Sequence, residues 1–258
     1  MVDYFGHKLS INSKEKERKY YEEISDYGYY PYKIDESAYD DFINNERAVN
    51  EVFIELMKQR LEKWIKIAEN ELADKLVIVN AGNDDPFELD SVLDSSHAII
   101  HPEGKVVKIN GYELISTGYA NMTPWHAPRD VPEEVLREKI EDMASKLKEP
   151  RRSIFNIHPP PFNTGLDLAP KVDGQLRPLT LSGMPIMEPV GSKAVREMLE
   201  IYQPMLGLHG HVHESRAAKM FKSTLIINPG SDCQHGALLG ALIVINDGII
   251  TNYMLTNG

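Results

Sequence analysis

The chain has 258 residues, 42% of them hydrophobic and 26% charged, which is ordinary globular composition and enough length to bury a sizeable core. The formal net charge of −11, with the basic residues scattered, works against neutralising a nucleic-acid polymer, although a metal could reverse the field locally for a small phosphorylated substrate. Cys233, the single cysteine, excludes an intrachain disulfide; no apolar run nears the roughly 20 residues of a membrane span, and the start lacks a signal-peptide pattern. A cytoplasmic protein without a membrane partner is the expectation.

Residues 1–75 read as a helical segment. Ser13–Tyr30 is charged and tyrosine-rich, with a turn at Gly28. From Glu36 to Asp74 the pattern is helical, and Phe53, Leu56, Met57, Leu61, Trp64, Ile65, Ala68 and Leu72 fall on one face at 3,4 spacing. A structural layer is the simplest role for that face.

After Lys75 come short apolar runs, each ending in a polar loop. LVIVN (76–80), HAIIH, KVVKIN and ELISTGY read as neighbouring strands, followed by a helix over 132–148 with PEE as its first turn. SIFNI (153–157) reads as a buried strand stopping at His158, and the Pro- and Gly-rich stretch 162–189 as a long loop. A helix over 192–202, capped by Ser192, leads into MLGLHGHVHES. STLIINPGS, ALLGALIVIND and GIITNYMLT close the chain as strands. Strands alternating with helices, then a run of strands, predict an α/β fold: mixed β-sheets packed as a sandwich with flanking helices, residues 76–258 forming one compact unit.

Three strand ends carry residues that bind hard or borderline metals: Gly82-Asn83-Asp84-Asp85, then His158, then Gly210-His211-Val212-His213. A lone histidine ending a strand is more often a hydrogen-bonded structural residue. Alternate residues of a strand share a face, so His211 and His213 are expected to converge. His209 has the same alternation and is a candidate to line the site behind the ligands, with a plain structural role the slightly favoured reading.

In this order the three loops resemble the calcineurin-like metallophosphoesterases, over about residues 76–258, and Asn228–Ser231 (NPGS) matches a loop that commonly follows GHxH there. The resemblance implies metal-dependent hydrolysis of a phosphate mono- or diester, with two divalent ions (Mn, Fe, Zn or Ni) per complete site. It places Asn83, His158 and His211 on one ion and His213 on its neighbour. Two departures follow. The DxH and GDxxD motifs that open the family are absent; Asp3 and His7, in DYFGH, have the wrong spacing to replace them. The chain is therefore expected to be part of a longer polypeptide, with residues 1–75 an insert, and to hold one ion or none, with hydrolysis near background. Asp84 stands where the family has a histidine, and becomes a candidate proton donor to the leaving group or else a residue that shapes its loop or caps the following helix. Arg216 is a candidate phosphate contact, against a plain surface ion pair. His97, His101, His126 and His235 have no motif around them. Two other functions stay open: a metal- or nucleotide-binding protein of the same fold without turnover, and an interaction module that recruits a partner through residues 13–74. Homo-oligomerisation is open as well.

Overall fold

The computed structural model describes residues 2–4, 7–9 and 11–258, with side chains described from residue 11 onward except that of Gln234. The side chains of Asp3 and His7 thus lie outside the described part. Strands β1 (Val2–Tyr4) and β2 (His7–Leu9) pair antiparallel. Helix α1 (Lys14–Asp26) begins where the Ser13 hydroxyl accepts from the Lys16 amide, which satisfies one of the orphan N–H groups of the first turn. The long helical pattern is two helices, α2 (Glu36–Ile43) and α3 (Glu46–Glu71), because Asn44 and Asn45 interrupt it and Asn45 caps α3 through Ala48 N. Only Leu61, Ile65 and Ala68 of the expected apolar face are buried, with Met57 partly covered, against α4 (Glu88–Ser95) and Ile99. Phe53, Trp64 and Leu72 are exposed, since the helix that covers α3 is only eight residues long.

LVIVN and HAIIH do not form strands. They meet at one parallel bridge, Ile78 to Ile100, while Val77 and Val79 pack on the α3–α4 cluster. Strands β3 (Val106–Ile109) and β4 (Tyr112–Thr117) form a hairpin, followed by the short pair β5 (Ala120–Asn121) and β6 (Asp130–Val131). Helix α5 (Glu133–Ala144) precedes β7 (Ile154–Ile157). The expected long loop is instead an arm of antiparallel pairs: β8 (Leu168–Pro170), β9 (Thr180–Leu181), β10 (Met184–Pro185) and β11 (Met187–Pro189), with β8 on β11 and β9 on β10. Helix α6 (Lys193–Tyr202) is capped by Ser192, and Glu133 on α5 accepts from the Ser192 hydroxyl and the Lys193 and Ala194 amides. The chain ends in β12 (Leu206–Leu208), β13 (Ala217–Phe221), β14 (Thr224–Asn228), β15 (Leu239–Asn246) and β16 (Ile249–Asn257).

Six strands make the central sheet in the order β13-β14-β12-β7-β4-β3. The inner four run parallel, and β3 and β13 add antiparallel edges. Parallel strands need cover on both faces, and alternation along them supplies it. Ile115, Phe155, Ile157 and Ile226 face α5 and α6, whose buried residues Leu136, Ile140, Met143, Val195, Met198 and Leu199 recur at helical spacing. Leu114, Ile154, Leu206, Leu225 and Ile227 point the other way, onto Ala241, Ile243 and Ile245 of the β15–β16 hairpin. The fold is mixed α/β as expected, with a two-stranded hairpin as the layer opposite the helices. None of the helices of the described part is long and apolar enough to cross a membrane.

Candidate metal centre

The parallel strands bring their carboxyl ends to one edge of the sheet, the position where open α/β sheets bind ligands. His158 leaves β7 there, and the His209–His213 loop leaves β12 beside it. The Ala81–Asn83 segment crosses in front of Gly118. A side-chain carbon at Gly118 would sit 2.0 Å from the Ala81 carbonyl oxygen, so only glycine allows this approach. At Gly82 a side-chain carbon would come within 3.0 Å of the His158 ring.

These loops bring three donor atoms together. Asn83 Oδ1 lies 3.0 Å from His158 Nε2 and 3.0 Å from His211 Nδ1, and the two rings meet edge to face at 5.1 Å. Two ligands each about 2.1 Å from an ion, at right angles, stand about 3.0 Å apart, so the spacing fits one ion between them. Two imidazole nitrogens and an amide oxygen are a donor set for Zn, Mn, Fe or Ni. Burial, with His211, His213 and His209 nearby, lowers the His158 pKa to about 3. Burial also lowers that of His211, against the opposing charges of Asp130 and Asp84. Both rings stay neutral near pH 7, the form that binds a cation.

The cluster is held from behind. Asp130 Oδ1 accepts from Asn83 Nδ2 at 3.0 Å, which fixes the amide with its oxygen toward the histidines. Burial pushes the Asp130 pKa up, but its hydrogen bonds with Thr123, Asn83 and Ala127 outweigh it and the net shift is downward. Its neighbour Arg129, fully buried, spans the same loop: it donates to the Asp85 and Pro86 carbonyls and to both oxygens of Asp90, while its amide donates to Asn83 O. Asn228 donates to the Val212 carbonyl at 2.8 Å and to that of Leu166, so the NPGS segment latches the histidine loop.

A cavity of about 500 Å³ opens over the cluster and also takes in Asp84, Asp85, His213 and Glu214. Among the described residues no lysine or arginine lines it. Nor, among them, do three His, Cys, Asp or Glu side chains gather closely enough to hold an ion alone; the third donor of the cluster is the Asn83 amide. His213 and Asp84 are exposed on the cavity wall. Asp84 caps nothing: Asp85 accepts from the Gly82 amide, and α4 has no side-chain cap.

Several sequence expectations need correction. His209, His211 and His213 do not alternate along a strand, because β12 ends at Leu208 and His211 has a left-handed φ of 66°. That conformation is unusual for a residue with a side chain. The place of His209 needs no such correction: outside the cavity lining, its Nδ1 meets the Ile157 and Pro159 carbonyls on either side of His158, at 2.9 and 3.1 Å, and braces that turn from behind. Arg216 is not part of the cavity lining; it donates to the carbonyls of Pro229 and Thr256. No local motif marks Asp130, Arg129 or Trp125: Asp130 meets Asn83 47 residues away, and Arg129 reaches Asp85, Pro86 and Asp90 from 39 to 44 residues away.

Comparison with known proteins agrees with the α/β architecture. One crystal structure matches with a TM-score of 0.50 at 18% identity, covering 84% of this chain and 74% of the other. The protein TT1561 of Thermus thermophilus matches at a TM-score of 0.46 and 15% identity, over 78% of this chain and 92% of that one. An archaeal phosphodiesterase matches at 0.24 and 14%, over 70% and 98%. No known family profile matches the sequence. The chain belongs to the same family as the uncharacterized protein MJ1162 of Methanocaldococcus jannaschii, to which it is 30% identical over 173 residues, 65% of this chain and 71% of that protein.

Proposed function

We propose that the protein is a metal-dependent phosphoesterase, hydrolysing a phosphate mono- or diester of a small substrate. The observation that carries this reading is the meeting of Asn83 Oδ1 with His158 Nε2 and His211 Nδ1 at 3.0 Å, inside a cavity with acidic side chains and, among the described residues, no lysine or arginine. Such a cavity repels phosphate unless a cation sits in it. Asn83, His158 and His211 would hold one divalent ion, and His213, on the same wall, would serve a neighbouring one. A bound ion of this kind polarises a phosphoryl oxygen and lowers the pKa of water. The chain's own residues do the rest. Asp130 keeps the Asn83 oxygen facing the ion, and burial keeps the two imidazoles unprotonated.

The test is calorimetry with Mn²⁺ and turnover of bis-p-nitrophenyl phosphate. One or two ions per chain, with a chelator-sensitive rate lost in His211→Ala, support the reading; failure to bind any divalent ion overturns it. A second reading, a metal-binding protein without catalysis, is favoured by the lack of a carboxylate within the three-donor cluster. Stoichiometric metal with no turnover under any divalent ion would select it.

A further inference from the structure

Away from the ligands the cavity lining is apolar, formed by Trp125 and by Ala169, Pro170, Val172, Pro178 and Val190 in and around the β8–β11 arm. We propose that this apolar wall binds a planar aromatic group of the substrate, so that the protein acts on aromatic phosphate esters, of nucleobase or simple aryl type. The proposal rests on the phosphoesterase reading above and names its substrate class.

Trp125 is 56% exposed, and its turn is built to present it. The Thr123 amide and hydroxyl and the Ala127 amide all donate to Asp130 Oδ2. The His126 amide closes the turn on Thr123 O, with His126 at a φ of 52°. The carboxylate that aims Asn83 at the donor cluster therefore also holds the turn that carries the indole, tying the two ends of the cavity to one anchor. The arm is equally fixed at its root. The Leu168 amide donates to Ser215 Oγ beside the histidine loop, the Val190 amide to Asp167 O, and Asn121 Nδ2 to Val190 O.

The chemistry of this wall selects its ligand. Indole and proline rings offer flat apolar faces, on which an aromatic ring stacks and sheds water. The apolar lining residues carry no hydroxyl, amide or charge besides the indole N–H, so a polyol substituent would lose its hydration without replacement. The phosphate then faces the histidine end, where the candidate cation site lies. A volume of about 500 Å³ suits a single small ligand and not a polymer.

The experiment uses Trp64→Phe, which leaves Trp125 as the only tryptophan, in the presence of Mn²⁺. AMP and phenyl phosphate should quench the Trp125 emission saturably, and glycerol 1-phosphate should not. A clear preference for AMP assigns the wall to a nucleobase, and equal affinity assigns it to any aryl ring. In calorimetry Trp125→Ala should bind AMP at least about tenfold more weakly, with most of the affinity recovered in Trp125→Phe. Equal affinity for AMP and glycerol phosphate, or no loss in Trp125→Ala, would overturn the proposal. AMP binding is read without turnover. A protein that binds AMP through Trp125 but hydrolyses nothing sinks only the phosphoesterase reading, and an active enzyme indifferent to aromatic groups sinks only this one.

Discussion

The Asn83 amide is oriented by Asp130: Nδ2 donates to the Asp130 carboxylate at 3.0 Å, and Oδ1 is left facing His158 and His211. Asp130→Asn should undo this arrangement. One amide oxygen has to replace two carboxylate oxygens that accept from Asn83, Thr123 and Ala127. Removing such support behind a ligand lowers metal affinity by about 10–100-fold, so Mn²⁺ titration should show a loss in that range. Unchanged affinity would mean that the Asn83 orientation is held by the loop alone.

The buried imidazoles make stability depend on pH. His158 and His209, with pKa values lowered to about 3 and about 4 mainly by burial, take up protons on unfolding, where an imidazole titrates near 6.5. Stability is therefore full above about pH 6.5 and falls as the pH drops toward those folded values. The slope is about 1.4 kcal/mol per pH unit for each group. Urea unfolding of metal-free protein between pH 7.5 and 4.5 should show this slope, and His209→Gln should remove about one proton of it. A slope indifferent to that substitution would assign the dependence to other groups.

Gly118→Ala and Gly174→Ala should part company. The first would drive a methyl group to 2.0 Å from the Ala81 carbonyl, whereas the second meets nothing within 4 Å. The first should cost about 1–3 kcal/mol or more, as overpacking does, and should weaken metal binding by displacing Asn83. The second should be neutral or stabilising by up to about 1 kcal/mol. Thermal unfolding of both variants measures the difference.

Arg216→Ala should leave KM for bis-p-nitrophenyl phosphate within about twofold, because the guanidinium is spent on the carbonyls of Pro229 and Thr256. Its cost should appear as a stability loss of about 1 kcal/mol. A tenfold rise in KM would restore Arg216 to the substrate side.

Local pattern carried much of this in the sequence. Ile154–Ile157 and Thr224–Asn228 are rich in apolar residues because both of their faces are covered, and α5 and α6 repeat buried residues at helical spacing. LVIVN has the same texture but bridges only at Ile78, because its side chains are used against α3, α4 and the hairpin cluster. Of the candidate ligands, Asn83, His158 and His211 meet. His213 stands out on the wall because the GHVH loop turns at His211 instead of extending β12. Asp130 was not legible, since its function depends on an asparagine 47 residues away.

That the donors lie far apart along the chain has a kinetic meaning. Asn83 is 75 residues from His158 and 128 from His211. Long loops must close before such contacts bring any gain, so pairings of this separation form late in folding. The cluster comes into being only once β7 and β12 lie side by side. An ion captured there would leave the folding rate almost unchanged and would mainly slow unfolding.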